Sequence, residues 1–242
     1  MSSKSEWTVA VFDGSEYVKQ HLDFLLHEYN RLFGAETMNG ERCIVFNDPK
    51  ADCPMLITST SPVMIRLAQT STVYWAQTVY QLSHEMCHYA IRQRKKDKDY
   101  TLKWLEETIC EAMSLYALEY AARNWYRCPL SQNSPMFSTA FVNYLEDELK
   151  RPPRDDLISC GTIEDLRICN QRAENKRDGR IRERNILYVC ISRHPQDSRF
   201  LCDMYRYLNE DKLTIDFDTW LADNPAEIVK CLREIQPKII KE

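Results

Sequence analysis

His84-Glu85-Met86-Cys87-His88 is the stretch that decides how this chain is interpreted, because it fits the pattern H-E-x-x-H. Residues four apart on an α-helix lie on one face, so the two imidazole rings point the same way. Two neutral imidazoles supply half of a zinc site, and a glutamate beside them can act as a general base. We therefore expect His84 and His88 to bind a metal and Glu85 to be the catalytic base.

The sequence around the motif favours a helix. Residues 71–94 contain no glycine and no proline. Gln77, Gln81, His84 and His88 recur at helical spacing and form one polar stripe, while apolar residues form a second stripe elsewhere on the same helix. The polar stripe is predicted to face a cleft.

Three downstream glutamates offer further carboxylates to the site. A catalytic zinc takes three protein ligands and leaves one position for water. Glu107 follows His88 after 18 intervening residues, a gap that fits a charged turn and a second helix that packs back on the first. Glu111 shares its face and is placed to accept the second N–H of His84. Glu106 points elsewhere and is expected to face solvent.

The motif, the gap of 18 residues and the run Trp104-Leu105-Glu106-Glu107 resemble the gluzincin clan of zinc metallopeptidases. In its aminopeptidase branch, H-E-x-x-H is followed after eighteen residues by W-L-N-E-G. In its thermolysin branch the gap is slightly longer, and an aspartate follows the ligand glutamate by four residues.

The resemblance implies a role for each of five residues. His84, His88 and Glu107 would bind one Zn²⁺ per chain, and Glu85 would be the catalytic base. Glu111 would take the place of the thermolysin branch's aspartate. The implied activity is hydrolysis of a peptide or protein substrate.

The chain departs from the aminopeptidase pattern at three places. Glu106 replaces the usual asparagine, Thr108 replaces the usual glycine, and the substrate-binding segment G-x-M-E-N is absent. Aminopeptidase specificity therefore does not carry over.

Gluzincins also stabilise the oxyanion with a tyrosine or histidine from the second half of the chain. The candidates implied here are Tyr188, His194 and Tyr205. His21 and His27 lie on the first predicted helix and are expected at the surface.

The predicted order of elements is a strand, a helix ended by Gly34, three short strands and two helices, followed by helices alone. The later helices are predicted at residues 138–150, 163–172, 182–191, 197–208 and 226–235. This order resembles a zincin-like α+β fold, in which a small N-terminal mixed sheet accompanies the active-site helix and the Glu-bearing helix. Residues 1–126 would form the catalytic subdomain, and residues 127–242 a helical subdomain that completes the cleft. The third of the short strands, at residues 63–68, is predicted to be an edge strand that pairs with extended substrate.

Composition and charge limit the classes of partner and the cellular compartment that we expect. The 242 residues carry a net charge of −4 and show no basic stripe with aromatics, so no nucleic-acid partner is predicted. No apolar run approaches the ~20 residues of a membrane span, and no membrane partner is predicted. The ten cysteines without a visible secretory signal favour reduced thiols and a cytoplasmic protein. The sequence indicates no particular oligomeric state.

Two other interpretations remain open at this point. The chain can be a zinc-binding regulatory or interaction protein with little turnover. It can also be a helical structural protein whose H-E-x-x-H is an ordinary pair of surface histidines.

Overall fold

The computed structural model describes residues 7–97, 100–153, 157–173 and 177–239. Over these ranges the chain is α+β, with a small mixed sheet followed by a mostly helical remainder. The strands are β1 (Trp7–Val9), β2 (Cys43–Asn47), β3 (Met55–Ile57) and β4 (Val63–Leu67). The α-helices are α1 (Ser15–Phe33), α2 (Ala35–Met38), α3 (Trp75–Arg94), α4 (Lys103–Asn124), α5 (Ser138–Leu149), α6 (Ile163–Arg172), α7 (Ile181–Arg193), α8 (Phe217–Asp223) and α9 (Glu227–Ile235).

The four strands are ordered β1-β2-β4-β3, with β1, β2 and β4 parallel and β3 antiparallel to β4. Ile65 of β4 is paired with Val45 on one side and Leu56 on the other. The prediction of an edge strand at residues 63–68 is therefore wrong. Pro62 precedes the first paired residue of β4, so its missing N–H does not interrupt the ladder. The strand at this edge of the sheet is β3.

The start of α1 requires a glycine. Gly14 has a φ of 74°, in the left-handed region, and a Cβ there would lie 2.0 Å from Oγ1 of Thr72. This close approach brings the segment before α3 against the beginning of α1. Tyr29 further along α1 donates a hydrogen bond of 2.8 Å to the carbonyl of Ser83, which fixes α1 beside the motif helix.

Helices α3 and α4 lie at the centre of the molecule and pack against each other. Buried side chains surround α4, as expected of a helix enclosed on all sides. Trp104 in its first turn is fully buried, and its indole N–H donates to the carbonyl of Leu213 at 2.9 Å. The helix that carries the candidate ligand Glu107 is therefore held by the C-terminal part of the chain.

The second half of the chain is helical, as predicted. The predicted helices at residues 138–150, 163–172, 182–191 and 226–235 match α5, α6, α7 and α9 closely. The helix expected at residues 197–208 is a 3₁₀ segment, Pro195–Tyr207, and α8 was not predicted. Buried apolar side chains from both halves form one continuous cluster. The division at residues 126/127 stays a prediction.

The cysteines and the surface add two facts. All ten cysteines are free thiols and seven of them are buried, including Cys87 inside the motif. Within the described ranges, every helix is too short or too polar to cross a membrane.

Candidate metal centre

His84 and His88 project from α3 into the same cleft. Their Nε2 atoms lie 3.2 Å apart, and their ring centroids 4.9 Å. The spacing of one helical turn produces this convergence, as the sequence predicts.

Glu107 of α4 completes a cluster of three donors. Its Oε2 lies 3.3 Å from Nε2 of His84, and its Oε1 lies 3.4 Å from Nε2 of His88. Each of the three residues contributes one donor atom, and these atoms lie within 4.8 Å of one another. The group His84, His88 and Glu107 can hold a metal ion.

Glu106 lies beside the metal-binding group, and its predicted exposure to solvent is wrong. It is buried, and its Oε1 accepts a hydrogen bond of 2.7 Å from Nδ1 of His88. Its other oxygen accepts the hydroxyl hydrogen of Tyr205, which itself accepts the backbone N–H of Leu102 at 2.8 Å. Burial and the charge of Glu106 raise the pKa of Tyr205 above its ordinary value. Tyr205 is thus engaged with Glu106 and positions it.

The contacts among these donors favour positive charge at the site. A carboxylate at Glu106 can only accept, so Nδ1 of His88 carries a hydrogen, and Nε2 of the same ring lies toward Glu107 and His84. Burial alone would lower the pKa of His88, but Glu107 and Glu106 hold that pKa well above its usual value. Burial alone would raise the pKa of Glu107, but His88 and His84 hold it well below its usual value. A positive charge is therefore favoured here, and a metal dication would supply it.

Glu85 lies in the same cleft. It follows His84 on α3, is buried and lines the cavity with the three donor residues. A carboxylate at this place can accept a proton from a water molecule held near the donors.

Glu111 forms a contact that was not predicted. Its Oε1 accepts a hydrogen bond of 2.7 Å from Nη2 of Arg180, and both side chains are buried. Arg180 also donates to the carbonyl of Ala173 at 2.6 Å. The predicted hydrogen bond from His84 to Glu111 is wrong: Oε1 of Glu111 accepts from Arg180, and its Oε2 accepts no hydrogen bond among the described residues.

Tyr188 and His194 lie outside the cleft, contrary to the prediction, because α7 packs against the far half of α4. The hydroxyl of Tyr188 donates to Glu119 at 3.1 Å. Glu119 follows Glu107 by twelve residues, which is about 18 Å along the helix axis. Close to His194 in sequence, Ser192 and Pro195 line a different cavity. Arg123 and Arg127, near the end of α4, line that same cavity.

The cleft has a volume of about 230 Å³, and the edge strand β3 forms one of its walls. The sequence analysis predicted that β4 would be this edge strand, but β4 lies one position further into the sheet. Three cationic side chains also line the cleft: Arg92, Lys95 and Lys103. The sequence analysis did not assign them to the site, and their closeness to the motif in sequence was the one signal for that assignment.

Comparisons of the chain with protein-family models, with curated proteins and with solved structures find no match. The site must therefore be interpreted from its own geometry and chemistry.

Proposed function

We propose that this chain is a zinc-dependent metallopeptidase. The observation that carries the proposal is the convergence of His84, His88 and Glu107, with Glu85 beside them, in one cleft bounded by a strand edge. Two imidazoles and one carboxylate, with a position left open for water, form a donor set typical of catalytic zinc. An unpaired strand edge is a surface on which an extended peptide can add as a further strand.

Each residue of the site has a separate role in the proposed reaction. His84, His88 and Glu107 would hold the metal, which when bound lowers the pKa of a water molecule and polarises a carbonyl group. Glu85 accepts a proton from the attacking water and passes it to the nitrogen of the leaving amine. Glu106 keeps the ring of His88 in the tautomer that presents Nε2 to the metal.

The test compares the zinc-loaded native protein with Glu85→Gln on a broad peptide library, with cleavage followed by mass spectrometry. Native protein should cleave, whereas Glu85→Gln should retain about one zinc per chain and lose turnover. Equal cleavage by both would contradict the role of Glu85.

Two further outcomes would replace the proposal. Stoichiometric zinc without cleavage of any peptide would favour a zinc-binding regulatory or interaction protein. Native protein that binds no stoichiometric zinc would favour a structural role.

A further inference from the structure

Two thiols lie in contact in a second cavity of the protein, away from the metal-binding residues. Sγ of Cys160, just before α6, lies 3.1 Å from Sγ of Cys169 within that helix. Both residues line a cavity of about 320 Å³ that, over the described ranges, shares no lining residue with the cleft of the metal-binding group. A disulfide bond is about 2 Å long, so the two sulfur atoms need to approach by only about 1 Å to form one.

The start of α6 folds the chain so that the two thiols meet. Oδ2 of Asp165 accepts the backbone N–H groups of Gly161 and Thr162 at 3.2 and 3.0 Å. Oγ1 of Thr162 in return accepts the backbone N–H of Asp165 at 3.1 Å, and this reciprocal cap turns the preceding residues back along the helix. The backbone N–H of Cys160 donates to the carbonyl of Leu157 at 3.1 Å. The contact of the two thiols is therefore supported by hydrogen bonds within one short segment.

The two thiols differ in their access to solvent. Cys169 is partly exposed, whereas only 4% of Cys160 is exposed. A small oxidant in the cavity therefore reaches Cys169 first, and Cys160 is placed to react with the oxidised product. The thiols of Cys87 and Cys110 also interact, but both are fully buried on α3 and α4. Access to solvent as well as contact thus distinguishes Cys160 and Cys169 from that pair.

We infer that Cys160 and Cys169 form a redox modification site, at which a hydroperoxide converts the two thiols reversibly into a disulfide. Hydrogen peroxide is the simplest oxidant of this class. The inference rests on the contact of the two sulfur atoms and on the cavity that exposes one of them. It is independent of the proposed peptidase function.

The oxidation balances in two steps. The sulfur of Cys169 loses its proton and attacks one oxygen of the hydroperoxide, so that an S–O bond forms, the O–O bond breaks and the released oxygen anion takes up a proton. The sulfur of Cys160 then attacks the sulfur of this sulfenic acid. The S–S bond forms, the S–O bond breaks, and hydroxide leaves with the proton of Cys160 as water. Together the two thiols lose two electrons and two protons, which the hydroperoxide gains.

Trypsin separates the two cysteines, which makes the disulfide directly measurable. Cleavage after arginine leaves Cys160 in a peptide of residues 155–167 and Cys169 in one of residues 168–172. Reduced protein is treated with hydrogen peroxide, the remaining thiols are blocked with N-ethylmaleimide, and the digest is analysed by mass spectrometry. We expect the two peptides to be linked and about 2 Da lighter than their summed masses, because two hydrogens are lost. Dithiothreitol added before blocking should separate them again.

Serine variants assign the order of the two steps. Cys160→Ser and Cys169→Ser should each abolish the linked peptides. In Cys160→Ser, Cys169 should remain a sulfenic acid that dimedone traps, because no second thiol follows it. Cys53→Ser removes an exposed thiol outside this cavity and is the matched control, which should form the linked peptides as the native protein does.

Three results would overturn the inference. They are separate, unlinked peptides under conditions that oxidise Cys53, a disulfide from Cys160 or Cys169 to some other cysteine in place of their own, and a linked pair that dithiothreitol does not reduce. The first measurement uses the native protein, so it decides the question even where a serine variant fails to fold. Zinc binding and peptide cleavage are measured separately, so failure here leaves the proposed function in place.

Discussion

Nδ1 of His88 lies 2.7 Å from Oε1 of Glu106, the residue directly before the candidate ligand Glu107. Glu107 contacts the other nitrogen of the same ring, with Oε1 and Nε2 3.4 Å apart. Two consecutive residues of α4 therefore contact both nitrogens of one histidine. The ring cannot rotate without losing one of these contacts, so its Nε2 is held toward His84.

The first prediction concerns metal affinity. Glu106→Ala should weaken zinc binding about 10–100-fold, because the ring of His88 loses the acceptor that orients it. Glu106→Gln, which keeps an acceptor oxygen, should weaken it less, and Glu107→Ala should weaken it most. Affinity is measured by competition with a chromophoric chelator. Glu36→Ala, an exposed position on α2, is the matched control, and a native-like affinity for Glu106→Ala would remove the assigned role.

The second prediction concerns protons. Glu107 and Glu106 raise the pKa of His88 and so favour the protonated ring when no metal is bound, whereas a metal binds the neutral ring. Zinc binding at pH 7 should therefore release about one proton from His88, and the apparent affinity should fall as the pH falls. Calorimetry in two buffers of different ionisation enthalpy counts the protons. Glu106→Gln should release fewer, and zinc binding by the native protein without proton release would contradict the assignment.

The shared direction of His84 and His88 could be predicted because it depends only on the geometry of one helix. The position of Glu106 could not. Helical spacing places Glu106 on α4 but does not reveal that it is buried or that it accepts a hydrogen bond from Tyr205, 99 positions away in sequence. Helical periodicity does not show which side chain from a distant part of the sequence packs against a given face of the helix.

The order of the strands is a second case of the same limit. Short strands can be recognised from their residue types, but β4 lies inside the sheet because β2 and β3 pair with its two edges. His21 is a third case. It was expected at the surface, but it is fully buried, with its ring near those of Trp75 and Trp125.

The third prediction follows from that burial. Nδ1 of His21 donates to the carbonyl of Tyr17 at 2.8 Å, and burial lowers the pKa of its ring to about 4. The unfolded chain has a histidine pKa of about 6.5, so between these values it binds a proton that the folded chain does not. Stability should therefore fall as the pH falls, by about 2 kcal/mol from His21 alone at pH 5.

Urea unfolding at pH 7.5 and pH 5 measures this contribution when native protein is compared with His21→Phe. The variant should lose less stability on acidification than the native protein, and His27→Gln, at an exposed position, should behave like the native protein. An identical loss in His21→Phe and native protein would show that His21 does not supply the pH dependence.

The fourth prediction concerns the edge strand. If peptide substrate pairs with the free edge of β3, its backbone N–H groups take part in binding. Replacing one substrate amide at a time by its N-methyl form should raise KM sharply at alternate positions, because every second residue of a strand faces its partner. A flat profile of KM along the peptide would exclude pairing at β3. Ile65→Pro should instead destabilise the whole protein, because Ile65 lies between two paired strands.

The fifth prediction concerns the buried pair of Glu111 and Arg180. Arg180→Met alone should destabilise the protein by about 3–5 kcal/mol, since it leaves the Glu111 carboxylate buried without its cation. Adding Glu111→Leu should recover much of that loss, as measured by urea unfolding, because an apolar pair needs no desolvation of charge. Glu111 is bound to Arg180 and not to His84, so zinc affinity should stay native in the double variant. A loss of affinity of about tenfold with folding restored would show instead that Glu111 orients His84.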